Sequence, residues 1–349
     1  MKRVVFAVPG SLDTPTGGYA YDKRIMAELR RLGREVDYLD IGEGFPAPDE
    51  ATRSAARSLL SAMPAGQPVV LDGLALGVLP DVAAELASRH PLVALVHHPL
   101  ALESGLTAER ADALRRSEKA ALAEVREVVV TSPATARLLV SSYGVPAELI
   151  TVARPGSDPV RRAARNPNEV PHLLSVGAVV PRKGFDVLVS ALAMLTDLPW
   201  QLTIVGDLQR DPHEAAKLQD LIAQHRLAGR IRTAGAVSPS RLATLFGEAD
   251  LFALASRFEG YGMAYAEALS HGLPVVGTTA GAIPDTVPKG AGVLVPSDDP
   301  AALAAALRSV LVDSDHRRRL AEAALMAARL LPTWQQSAAI FAATLDRLA

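Results

Sequence analysis

Short apolar runs alternate with stretches of helical spacing along most of this chain. Residues 2–8 read as a buried parallel strand, 9–18 as a loop at its carboxyl end, and 19–32 as an amphipathic helix that Gly33 stops. Runs at 36–40, 69–71, 92–96, 128–131 and 150–153 repeat the strand pattern, with helical patterns between most of them. From 155 to 171 glycine, proline and polar residues replace any apolar period, which marks a linker. A second series follows at 173–176, 202–205, 231–233, 251–255, 275–277 and 293–295. The pattern predicts an α/β protein of two doubly wound, Rossmann-like domains, 1–155 and 170–332, facing across a cleft with ligands at the carboxyl ends of the strands. Pro332 interrupts a long helical stretch, so residues 333–349 are expected as a last helix that packs back on the first domain.

Composition narrows the chemistry. The 349 residues are 49% hydrophobic, with a formal net charge of −2, and the arginines are scattered. That balance offers no electrostatic case for a nucleic-acid partner. Cysteine is absent, which removes disulfides, thiol nucleophiles and cysteine zinc sites together. The apolar run at residues 4–8 is too short for a secretory signal, and no apolar stretch is long enough to span a bilayer, so the expected location is the cytoplasm.

Candidate chemistry concentrates in residues 256–285, SRFEGYGMAYAEALSHGLPVVGTTAGAIPD. Glu259, Gly260, Tyr261 and Gly262 form a flexible turn into a helical pattern beginning at Met263. The free N–H groups and dipole of such a helix start suit an anion, and the glycines let backbone come close to it. Glu267 lies about one turn further in, so the two glutamates are expected roughly 12 Å apart at the rise of a helix. That is too wide for an acid/base pair on one glycosidic bond. It suits a clamp on two ends of an extended ligand, although two solvated glutamates on a packing helix have the same spacing.

Other strand-end loops point the same way, each also readable as an ordinary turn. Gly17 and Gly18 lie after the first strand and before its helix, without the spaced triplet of a dinucleotide fingerprint. His97 and His98 end the run LVALVHHP; adjacent positions face opposite ways, and His97 is favoured for the ligand. No metal set emerges, because neither His90 nor Asp72 completes a known zinc spacing. Arg182 and Lys183 precede a helix start and form a potential anion site. Gly206, Val237 and the small residues Gly281 and Ala282 end further strands on the same sheet edge.

Taken in order, SVGAVVPRKGFDVLVSAL, LTIVGD, AGAVSPSRLATLFGEADLFALAS, FEGYGMAYAEALSHGLPVVGT and GAGVLVPSDDPAAL resemble the retaining glycosyltransferases of the GT-B fold, specifically glycosyltransferase family 4. The resemblance implies transfer of a sugar from a nucleoside-diphosphate sugar, with no further cofactor and no obligatory metal. It implies that Glu259 contacts donor sugar hydroxyls, Glu267 the ribose, and backbone from Gly260 to Met263 the sugar and diphosphate. Lys183 would neutralise the diphosphate, Val237 flank the base, His97 meet the sugar near the reacting carbon, and Gly17 and Gly18 lie near donor phosphate and acceptor. His97, Glu259 and Lys183 are thus the expected catalytic residues. Two departures stand out: Ala178 replaces the arginine the family often has after the glycine at Gly177, and Ala282 replaces the second of its paired glycines. Arg182 is the nearest substitute for the missing charge.

Two rival readings share these residues. One is an epimerase-like nucleotide-sugar enzyme, the other a non-catalytic nucleotide-sugar-binding subunit. The acceptor stays open among glycan, lipid and small molecule. Arg110, Arg115, Arg116 and Lys119 on one helical stretch leave open a peripheral contact at the inner membrane face, but acidic neighbours make a solvated surface the simpler reading.

Overall fold

The computed structural model describes residues 3–103, 105–158, 160 and 170–348. Most of the linker expected at 155–171, and Lys2 of the first expected strand, lie outside the described residues. The chain divides into two compact units, residues 1–156 with 332–349, and residues 157–331.

In the first unit the strands are β1 (Arg3–Val8), β2 (Glu35–Asp40), β3 (Val69–Asp72), β4 (Leu92–Val96), β5 (Glu127–Val130) and β6 (Ile150–Val152). They pair in parallel in the order β2-β1-β3-β4-β5-β6. Strands β3, β4 and β5 are buried along their whole length, as near-continuous apolar runs in a covered parallel sheet must be. The helix Gly17–Arg31 covers one face through Tyr21, Ile25, Met26 and Leu29. The helix Trp334–Asp346 starts with a reciprocal capping box between Thr333 and Gln336 and packs on that helix and on β1. Trp334 packs at a tilt against Tyr21 and Phe341 against Phe6, and Arg347 forks onto Glu127 at 2.9 and 2.7 Å. Gly156 has no room for a side chain, since a Cβ there would lie 2.3 Å from the Trp334 nitrogen.

In the second unit the strands are β7 (His172–Val176), β8 (Gln201–Val205), β9 (Ile231–Thr233), β10 (Leu251–Ala253), β11 (Val275–Thr278) and β12 (Gly292–Val295). Their order is β12-β11-β10-β7-β8-β9, again parallel throughout. Both sheets are therefore doubly wound. In each, the chain leaves its first strand in one direction and returns to the other side, which opens a crevice at the carboxyl ends of two neighbouring strands. In the first unit those strands are β1 and β3; in the second they are β7 and β10.

Candidate active site

The crevice of the second unit joins the loop after β7 to the loop after β10, which brings Lys183 to Glu259 across 76 positions of sequence. Lys183 Nζ donates to Glu259 Oε1 at 2.6 Å, and Ser256 Oγ donates to the same oxygen at 2.7 Å. Arg182 lies 3.5 Å from Glu259 Oε2, and its Nη1 donates to the Phe258 carbonyl at 3.0 Å. Burial alone would raise the Glu259 pKa, but the charges of Lys183 and then Arg182, with the hydrogen bonds from Lys183 and Ser256, outweigh it and hold the carboxyl below its ordinary value. The pair is nearly enclosed: the side chains of Lys183 and Glu259 keep 15% and 8% of their exposure.

Arg257 fixes the cationic turn Pro181–Lys183 from the other side. It forks onto Asp186 at 3.0 and 2.7 Å, bonds Asp298 at 2.6 Å and the Pro181 carbonyl, and its amide donates to the Arg182 carbonyl at 2.8 Å. Asp186 sits in the first turn of the helix Phe185–Ala193, so the turn and the helix move as one. Gly184 must be glycine, with φ +63° and a would-be Cβ 2.1 Å from the Ala255 carbonyl oxygen.

The turn Gly260–Gly262 leads into the helix Met263–Ser270, whose cap residue Gly262 is left-handed at φ 89°. No side chain caps this helix start. The Tyr265 amide donates to the Gly262 carbonyl at 3.0 Å, and an uncapped helix start is the kind of place where an anion can meet backbone amides. Gly281 closes on the turn: its φ is +58° and a Cβ would sit 2.4 Å from the Glu259 carbonyl oxygen, which itself accepts from the Ala282 amide at 2.9 Å. Ala282 takes an ordinary φ of −90°, so the alanine in place of the family's second glycine costs no strain.

Glu267 faces a different field. It is half-buried on the same helix, and burial followed by the like charge of Asp158 raises its pKa to about 7. Gly206 approaches the Gly177 loop so closely that a Cβ would lie 1.8 Å from the Gly177 oxygen, and its amide donates to the Gly235 carbonyl at 3.0 Å. It shapes the loop beside Lys183 and has no amide left over for a ligand. Val237 is half-buried just before the helix Pro239–Glu248. Ala178 stands where the arginine is missing. The nearby positive charge comes instead from Arg182 and Lys183, whose stem packs on Gly177.

The first unit's crevice holds Gly17, Gly18 and His97, and with them Asp22, which the sequence reading passed over, and Asp72, which it named only in setting aside a zinc spacing. His97 Nε2 lies 3.0 Å from Asp22 Oδ1 and 3.5 Å from Asp72 Oδ2, and the ring edge rests against Gly18, where a Cβ would come within 3.1 Å. His98 turns away to Glu103 at 2.6 Å. Asp72 does belong with a histidine, through strand order and not through spacing. The signal for Asp22 was available: it occupies the apolar stripe of Ile25, Met26 and Leu29, where an unpaired charge is costly. Asp22, Asp72 and His97 are also the group of acidic and histidine side chains, among the described residues, whose donor atoms lie within 4.8 Å of one another.

Two family models match the chain, the one described as Glycosyl transferases group 1 over residues 157–326 and the one described as Glycosyltransferase Family 4 over residues 23–161. The chain belongs to glycosyltransferase family 4, group 1. Among its relatives, a D-inositol 3-phosphate glycosyltransferase of Paenarthrobacter aurescens is 32% identical over 272 residues, 72% of this chain and 65% of the relative. One of the same name from Xylanimonas cellulosilytica is 33% identical over 239 residues, 64% of this chain and 57% of the relative. The MMP alpha-(1->4)-mannosyltransferase of Mycolicibacterium hassiacum is 27% identical over 311 residues, 85% of this chain and 74% of the relative. The chain thus spans 57% to 65% of the length of these two inositol-phosphate relatives. Among solved structures, the sucrose-phosphate synthase of Thermosynechococcus elongatus matches with TM-score 0.84 at 20% identity, covering 99% of this chain and 98% of that one. Anabaena HepE in complex with UDP-glucose matches with TM-score 0.80 at 20% identity, covering 99% of each. The family 4 chain has the GT-B pair of Rossmann-like units. No helix among its described residues is long and apolar enough to cross a membrane. On the helix Ala108–Leu122, Arg110, Arg115, Arg116 and Lys119 are exposed alongside Glu109 and Asp112, and Asp112 pairs with Arg115 at 2.6 Å.

Proposed function

We propose that this protein transfers a sugar from a nucleoside-diphosphate sugar to an acceptor hydroxyl, with retention at the anomeric carbon. The observation that carries the reading is the Lys183–Glu259 pair at the β7/β10 crevice, set beside the uncapped helix start at Gly262. A diphosphate would lie against the first amides of the helix, from Gly260 to Met263, with Lys183 and Arg182 neutralising it. Those cations supply the charge that a metal supplies elsewhere, so no obligatory metal is part of the proposal. Glu259 Oε1 is engaged by Lys183 and Ser256, and Oε2, with Arg182 at 3.5 Å, would accept from donor sugar hydroxyls. Glu267 would take the ribose, Val237 flank the base and Gly206 hold the loop form. In the first unit, Gly17 and Gly18 would border the donor phosphate and acceptor, and His97 would meet the donor sugar.

Charge grows on the leaving nucleoside diphosphate as the glycosidic bond breaks, and fixed cations and amides stabilise it there with no reorganisation. Attack on the same face, with a donor phosphate oxygen taking the acceptor proton, retains configuration. We place the reaction in the cytoplasm, where nucleotide sugars are made. Thermal-shift measurements with UDP, GDP and ADP and their sugars test the reading: one nucleotide family should raise the melting temperature, and its sugar should raise it further. Product analysis follows, starting from a polyol phosphate because the relatives named above act on one. Release of an epimerised donor without acceptor, or no nucleotide response, would overturn it.

A further inference from the structure

The electrostatics around His97 define what that residue does. Its ring is held by Asp22 and Tyr21 from the helix Gly17–Arg31, by Asp72 from the end of β3 and by Gly18 against its edge, and the Thr131 hydroxyl after β5 donates to the His97 carbonyl at 3.2 Å. Tyr21 meets the ring edge-on at 5.4 Å between centroids and anchors itself to the Ala153 carbonyl at 2.9 Å. The carboxylates are fully buried, at 0% for Asp22 and 1% for Asp72, and Asp22 Oδ2 has no hydrogen-bond partner among the described residues. Asp72 Oδ1 is engaged by the Leu74 amide at 2.8 Å. Two buried carboxylates therefore converge on one nitrogen, Nε2, while the ring keeps 19% of its exposure.

We propose that Asp22, with Asp72 behind it, is a positioning residue that holds His97 as an imidazolium with Nε2–H turned inward, so that His97 serves the reaction as a fixed hydrogen-bond donor through Nδ1 and not as a base. The proposal rests on the reading that His97 meets the donor. An imidazole with Nε2 bound to a carboxylate has Nδ1 as its remaining polar atom, and the charged ring carries a proton on both nitrogens. A protonated Nδ1 cannot accept a proton from an acceptor hydroxyl. Its partner is an electron-rich oxygen, a sugar hydroxyl or a phosphate oxygen of the donor, and its charge stabilises the negative charge that builds up during departure.

The proton balance agrees with the geometry. Burial alone would lower the His97 pKa, but the charge and hydrogen bond of Asp22, and then the nearby carboxylate of Asp72, raise it to about 10. Burial raises Asp22 to about 6 against the opposing pull of His97. Near neutral pH the proton thus sits on the imidazole and Asp22 is a carboxylate. Tyr21 is raised well above its ordinary value by burial and stays neutral.

The test is the titration of His97 in the whole chain by NMR with isotope-labelled histidine, its signal assigned by loss in His97→Gln. The wild-type ring is expected to keep its imidazolium signature from about pH 6 to about pH 8.5, where a free histidine has lost its proton. In Asp22→Asn the signal should titrate near the ordinary value of about 6.5. If nucleotide-sugar transfer is measured alongside, Asp22→Asn should lose roughly tenfold in kcat near pH 8 with little change in KM, and recover as the pH falls to about 6. Asp22→Glu should restore part of the alkaline activity. A purely structural role for Asp22 would lower kcat equally at every pH, and that result overturns the proposal. So does a neutral His97 in the wild type at pH 7, which the wild-type titration reads even if the variant fails to fold. Should the imidazolium be present but no nucleotide bind, the ion pair stands and the proposed function falls.

Discussion

Glu259 and Glu267 are eight positions apart on one turn and helix, yet they live in opposite fields. Glu259 is surrounded by Lys183, Arg182 and Ser256, and its pKa is held down despite full burial. Glu267 is half-buried with the like charge of Asp158 nearby, and its pKa rises to about 7. A spacing alone describes them as an equal pair. The loops that strand order brings together hold the first below its ordinary carboxylate pKa and make the second a group that titrates near neutrality.

The sharpest way to break that contrast is to remove the cation from Glu259. Lys183→Ala leaves a buried carboxylate with Arg182 at 3.5 Å as its remaining cation, and should cost about 3 kcal/mol in denaturant unfolding. Adding Glu259→Gln should recover a good part of the loss. Because the Glu259 pKa is depressed, the pair's contribution is present above the unfolded carboxylate value and disappears as pH falls through the folded one. The deficit of Lys183→Ala should therefore shrink in acid.

A smaller effect comes from the loop that seats the Glu259 backbone. Gly281→Ala should cost about 2 kcal/mol, since its φ of +58° and the Glu259 oxygen at 2.4 Å both exclude a Cβ. Ala282→Gly should cost less than about 1 kcal/mol by chain entropy, as its conformation is ordinary. Equal costs at the two positions would mean that the loop does not seat Glu259 in this way.

Smaller again is the pH signature of Glu267. A raised carboxyl pKa contributes stability that is full below the unfolded value and is lost as pH rises through about 7. Ribose hydroxyls need the carboxylate as acceptor, so nucleotide affinity should move the opposite way, rising by up to roughly tenfold per unit below the pKa and levelling above it. Titrations across that window should show this in the wild type and a flat profile in Glu267→Gln.

Much of the architecture was legible before any coordinates. The strands among the described residues follow the short apolar runs, most fully at β3, β4 and β5, because parallel strands buried on both faces need them. Glu259, Lys183 and the glycines around Gly262 stood out because helix starts and strand ends have local signatures. The partners did not. Asp22 reaches His97 across 75 positions, and Arg257 reaches Asp186 across 71, through strand neighbours that no local pattern specifies. Gly206 reads as a ligand loop in sequence, whereas its close approach to Gly177 shows a packing reason for the glycine.

The central claim is that the second unit holds the two ends of a nucleotide sugar with two different glutamates. Calorimetric titration of the responding nucleoside diphosphate and its sugar into the wild type, Glu259→Ala and Glu267→Ala tests it most directly. Glu267→Ala should weaken both ligands alike, and Glu259→Ala should weaken the sugar-bearing donor while nearly sparing the diphosphate. Wild-type affinity for both ligands in both variants would contradict the account.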